Sequence, residues 1–209
     1  MPCCAKLIKP LLQGMLAWYL LSGAMPVLAE GIEIRKAEAR LTGDSYLLSA
    51  DFDIQLPPQV EEALKRGVTL YFESEISVHR SRWYWLDTEI ASFVQVSKLS
   101  FNTLTQQYRI TRGGLYQSFQ TLPEALRVLG RQVAPPIDVS RLDASSDGYF
   151  SRLIKKGSQV GAIAWMGLDI TQLPKPMQMD ALTSDQWKVE SARFHWDVSP
   201  EKPNNGGER

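Results

Sequence analysis

Cysteine is almost absent from this sequence of 209 residues. Cys3 and Cys4 are its two thiols, and both lie in an N-terminal segment whose composition marks it for removal. What remains has no disulfide, no thiol nucleophile and no cysteine metal ligand. Histidine is equally scarce. His79 and His195 are far apart, and no His-x-His pair, HExxH helix or cysteine cluster accompanies them, which argues against a zinc site of the usual kind. Both read as surface or rim histidines near strand ends. A G-x-S-x-G nucleophile elbow is missing. So is a phosphate-cradling glycine loop, because Arg112-Gly113-Gly114 has neither the lysine nor the strand-to-helix context. No sign of charge dominates: 23 basic residues face 23 acidic ones. Loss of Lys6 and Lys9 with the N-terminal segment leaves 21 against 23, a formal charge of −2. Such a chain has no broad electrostatic pull toward nucleic acid or anionic lipid. No cofactor motif is present, and no cofactor or metal is expected.

The N-terminus is informative by what it contains. Lys6 and Lys9 form a positive leader, the stretch Leu11–Leu28 carries no charge, and Pro26 breaks a helix near its end. Val27-Leu28-Ala29 then sets small or modest side chains at the −3 and −1 positions of a cleavage site. This pattern predicts a signal peptide over residues 1–29, cleaved after Ala29, and a periplasmic protein without a membrane span once cleaved. The rival reading is an uncleaved anchor, for which the stretch is just long enough, but Gln13, Gly14, Gly23 and Pro26 weaken it. Neither cysteine sits at the cleavage point, so a lipid anchor is not expected.

Composition is that of a globular domain, 44% hydrophobic and 22% charged, and a chain of this size buries roughly 70% of its unfolded surface. Residues 48–56 alternate: Leu48, Ala50, Phe52, Ile54 and Leu56 share one face and polar residues the other, which is a half-buried strand. Residues 32–41 form the strand before it, across a Thr42–Ser45 turn. Their apolar residues switch parity between Ile34 and Ala37, which calls for a bulge near Arg35 and Lys36. A short helix is predicted over 57–66, ended by Gly67. A strand with Val68, Leu70, Phe72, Ile76 and Val78 on one face follows, then a mixed segment reaching Phe101. Residues 105–111 and 115–120 make a tight hairpin. Thr121–Glu124 resembles a capping box opening a second helix that Gly130 stops. Residues 158–170 read as a central strand, Leu173-Pro174-Lys175-Pro176 as extended chain, and 187–198 as the last strand. The tail 199–209 is polar and reads as disordered. The expectation is one domain over 30–198, an antiparallel β-sandwich, immunoglobulin-like in general architecture, with two short helices.

Candidate sites are few. Asp143–Gly148 imitates the start of a calcium loop, but position 12, which should be a bidentate Glu, is Ile154, and a turn is the better reading. Asp51 and Asp53 share a strand face and mimic paired carboxylates, although solvent exposure opposite the apolar face accounts for them. The unusual stretch is Arg80-Ser81-Arg82-Trp83-Tyr84-Trp85. Arg, Trp and Tyr dominate binding hot spots, and exposed indoles stack on sugars or cations. The plainer alternative is that these side chains close one end of the core. Arg80, Arg82, Trp83, Trp85 and Arg109 are the candidate contact surface, and no catalytic residue is assigned.

A longer ordered set of residues carries a resemblance. It runs through Ala63–Val68, Tyr71-Phe72, Arg80–Trp85, Leu104–Arg109, Ser118–Leu122, Glu124–Leu126, Leu168–Pro176 and Trp187. In this order the chain resembles an exported proteobacterial family known only as domain of unknown function 4390, over nearly all of residues 31–198. The stretch 145–160 is less regular than the family pattern. The resemblance implies the envelope of a Gram-negative bacterium and a genetic neighbourhood that often holds a two-component sensor kinase; it supplies no catalytic residues. The function expected is a non-catalytic periplasmic module binding an envelope protein, a sensor kinase among the candidates. The alternative is a sandwich that binds a small ligand or carbohydrate through its tryptophans. An enzyme whose carboxylates or histidines converge in space comes third.

Overall fold

The computed structural model describes residues 31–82, 85–138 and 160–198, without the side chains of residues 81, 82 and 85–87. The signal segment, the calcium-like stretch and the polar tail lie outside the described residues. In chain order the elements are β1 (Gly31–Thr42), β2 (Ser45–Gln55), α1 (Pro58–Lys65), β3 (Leu70–Arg82), β4 (Trp85–Asn102), β5 (Gln107–Arg112), β6 (Leu115–Phe119), α2 (Leu122–Gly130), β7 (Arg131–Val133), β8 (Ile137–Asp138), β9 (Val160–Leu168), α3 (Lys175–Thr183) and β10 (Phe194–Asp197). Single 3-10 turns at Ile170–Gln172 and Asp185–Trp187 bracket α3. None of these helices is long and apolar enough to cross a membrane.

The fold is mostly β, as expected, in two antiparallel sheets. In the smaller one β2 pairs with β1 on one side and with β7 and β8 on the other. Burial along β2 alternates, with Tyr46, Leu48, Ala50, Phe52 and Ile54 inside. The β1–β2 register slips between Ile34 and Lys36. This bulge lets Ile32 and Ile34 join Ala37 and Ala39 opposite the same face of β2, as the parity change in the sequence required.

The larger sheet runs β10-β9-β3-β4-β5-β6. Leu70, Phe72, Ile76 and Val78 of β3 face the core together with Ala162, Ala164 and Met166 of β9. Each fully buried large side chain here contributes about 2 kcal/mol from apolar burial. One apolar cluster draws on both sheets and on all three helices. Helix α2 bridges them, packing on β2 of one sheet and β5 of the other. Ser191 joins them a second way: it bridges to Ile32 of β1, and its N–H donates to the Met166 carbonyl of β9 at 2.8 Å.

Helix α1 ends as its sequence predicts. Gly67 takes φ +92°, its N–H donates to the Leu64 carbonyl, and the Val68 N–H donates to the Ala63 carbonyl, the two bonds of a Schellman cap. Val60, Ala63 and Leu64 are its buried stripe. Glu61–Lys65 and Glu62–Arg66 form i,i+4 ion pairs on its outer side.

Four expectations are corrected. The segment up to Phe101 is not mixed but a strand of 18 residues, β4. Its pattern misled because Val94 and Val96 face solvent while Ser97 is buried. The LPKP stretch is extended only through Leu173 and Pro174. Lys175 and Pro176 open a third helix, in a first turn where a missing N–H costs nothing. The last strand is reduced to Phe194–Asp197, since Trp187 lies in a 3-10 turn and Glu190 and Ser191 make isolated bridges. Finally, Thr121 sits at the N-cap of α2 without a side-chain cap bond, and Gly130 is the last residue of that helix rather than a stop beyond it. Glycine is needed there for contact: a Cβ at 130 would stand 2.0 Å from the Phe52 carbonyl oxygen.

Candidate functional site

Of the five candidate residues, the structure describes the side chains of Arg80 and Arg109 and sets these two apart. Arg80 continues the core-facing row of β3 and is 8% exposed, between Thr88 of β4 and Val160 of β9. It is buried rather than displayed. Arg82 of β3 pairs with Trp85 of β4; their side chains, and Trp83 altogether, lie outside the described residues. Arg109 is on β5, facing outward, its guanidinium carbon 4.8 Å from the centre of the Tyr116 ring. It pairs with Ser100 of β4, and Arg80 pairs with Thr88 of the same strand, so at about 3.3 Å per residue the two lie about 40 Å apart. Arg80 and Arg109 therefore do not belong to one patch.

What lies near the Arg–Trp stretch is an edge. β4 pairs with β5 only from Ser97 to Asn102, because the β5–β6 hairpin turns at Gly113-Gly114, level with Ser97. From Trp85 to Val96, among the described residues, β4 has a neighbour on its β3 side alone. A bulge at Ile90 interrupts it. The regular part beyond carries Val94 and Val96, 58% and 50% exposed. A long edge with exposed apolar side chains and open backbone groups is a template for pairing with another chain.

Asp51 and Asp53 line a groove of about 810 Å³ between β2 and α2. Asp53 is bonded to Arg35 at 2.6 Å and Asp51 lies 3.7 Å from Arg131. Each carboxylate thus has a guanidinium partner of its own. His79 bonds Ser77 at 2.9 Å, and His195 is exposed on β10. Among the described residues no group of three or more His, Cys, Asp or Glu is placed to hold a metal ion.

A second cleft, of about 480 Å³, opens on the outer face of the large sheet beside α3. Its floor is Gly167 of β9. The benzo carbons of Trp165, two residues back on the same face, fill the space above that glycine: a Cβ at 167 would come within 2.6 Å of Trp165 Cζ2. Glu73 pairs with Gly167 from the β3 side and Glu190 from the other. No motif announced this site. The one signal was Trp-x-Gly within a strand, where period two puts the indole over the residue that lacks a side chain.

With the geometry in place, comparison with known proteins is brief. No curated protein and no solved structure matches the chain. A family model described as a domain of unknown function (DUF4390) matches residues 29–197. That span takes in both sheets and all three helices, and the chain belongs to the family designated domain of unknown function 4390.

Proposed function

We propose that this chain is a non-catalytic periplasmic module that binds another envelope protein, which adds an extended segment to the open edge of β4. The observation that carries the reading is that edge, with Val94 and Val96 exposed on it and β5 absent beside it until Ser97. Strand addition takes its affinity from main-chain hydrogen bonds and its specificity from alternate side chains. The Arg82–Trp85 backbone pair lies at the start of the same edge, and Arg and Trp are hot-spot residue types. The N-terminal segment that reads as a signal peptide supports the compartment, and the resemblance to a family encoded near sensor kinases makes the external domain of such a kinase the first partner to test.

The test is a photo-activated cross-linking residue placed at position 94 or 96 in cells, with position 40 on the smaller sheet as control. One envelope protein captured at the β4 positions and not at the control supports the reading. Equal capture at both, or none, removes it.

A further inference from the structure

The Trp165 cleft has a composition that asks for a particular occupant. Among the described residues lining it, Glu73, Asp169, Asp185 and Glu190 face a single cation, Lys188. Asp169 is engaged locally, accepting from the Thr171 N–H and hydroxyl at 2.9 and 2.6 Å. Among the described residues none of the four carboxylates is in an ion pair.

Register fixes the two nearest carboxylates. The Leu168 N–H donates to the Val189 carbonyl and the Ser191 N–H to the Met166 carbonyl, both at 2.8 Å. These bonds bracket Gly167 and Glu190 as a non-hydrogen-bonded pair, the closer kind, with Cα atoms about 4.5 Å apart. Glu73 is directly opposite Gly167 on the other side. The two carboxylates therefore project from the same face, from Cα positions about 10 Å apart. Gly167 lies between them without a side chain, and the Trp165 ring occupies the place above it. An indole flanked by two negative charges attracts a cation through its π-face and through Coulomb attraction together. A neutral sugar would use the ring and leave the charge unanswered. The volume falls within the usual range for small-molecule sites.

We propose that this cleft binds a small organic cation, its ammonium or guanidinium group held against Trp165 between Glu73 and Glu190. The site is on β9 and β3, independent of the β4 edge.

The test uses the full chain, labelled with nitrogen-15, and follows the Trp165 indole N–H, identified by its loss in Trp165→Phe. Choline and agmatine are the probes, and 3,3-dimethylbutanol, the uncharged counterpart of choline, is the control. The expected result is a saturable shift with at least one cation, none with the alcohol, and weakening at high salt. Glu73→Gln with Glu190→Gln should weaken binding about tenfold, the scale of losing two partly exposed charge attractions while the ring contact remains. Glu190→Gln alone, at an exposed position, should weaken it less without disturbing the fold. Equal binding of the alcohol, an unchanged affinity in the double variant, or no saturable shift with either cation overturns the proposal. Val94→Lys should bind the cation normally, which separates failure here from failure of the partner-binding reading.

Discussion

The Arg112 guanidinium donates to the Leu129 carbonyl at 2.6 Å, fastening the end of α2 to β5. The same side chain reaches the Val128 and Arg131 carbonyls at 3.1 and 3.2 Å and the Ser97 hydroxyl at 2.9 Å. Its charge meets the negative end of the helix, and burial pushes its pKa below the ordinary arginine value. Arg112→Ala should cost about 3 kcal/mol, because several charge-assisted bonds go at once and the helix carbonyls lose their donor. Arg112→Lys should recover only part, since an ammonium cannot span the fork. Urea unfolding of both variants measures this; a loss under about 0.5 kcal/mol for alanine would refute it.

Gly130→Ala separates two effects of opposite sign. Alanine in a helix normally gains up to about 1 kcal/mol over glycine. Here the added carbon meets the Phe52 backbone, so the substitution should instead destabilise by about 3 kcal/mol through overpacking. The midpoint of chemical denaturation should fall with its slope unchanged.

Glu38 should titrate low. The Lys36 ammonium bonds it, Arg40 adds attraction, and together they outweigh partial desolvation to hold its carboxyl below the usual range. A folded pKa below the unfolded one means that its stabilising contribution is present above the ordinary carboxylate range. That contribution is lost as pH falls through the lowered value. Carboxyl carbon shifts followed by NMR report the titration, and Lys36→Met should move it upward.

Val94→Lys and Val96→Lys test the edge without testing the core. Both residues are exposed, so thermal stability should stay within about 0.5 kcal/mol of the parent, while a charge on the edge opposes strand addition. Partner capture in cells should then drop. A variant that unfolds, or that still captures the partner fully, would count against the assignment of this edge.

Legibility in the sequence followed burial. Where one face of a strand is wholly apolar, as in β2 and β3, alternation revealed it, and the bulge in β1 was readable because Ile34 and Ala37 changed parity. β4 escaped because its role is mixed: Val94 and Val96 face outward while Ser97, held inside by Arg112, is polar. The LPKP stretch escaped because proline is compatible both with extended chain and with a first helical turn, and the choice fell to Ala181 and Trp187 packing into the core. The Arg80–Trp85 stretch drew attention by composition, but composition could not tell that Arg80 points inward or that Arg109 is a long strand away. The Trp165 cleft needed β3, β9 and the Glu190 segment brought side by side, which no local pattern encodes.

The Ile32–Ser191 bridge ties the first described strand to the segment that precedes β10. Ser191 touches both β1 and β9, so these two meet only after the chain between them has been brought round. Such a contact spans most of the described chain, and closing so long a loop carries an entropy cost that local hairpins do not. Until it forms, the Met166 end of β9 and the Ile32 end of β1 are raw edges. A chain shortened before Trp187 would keep its hairpins but leave both seams open, and would tend to recruit other copies of itself.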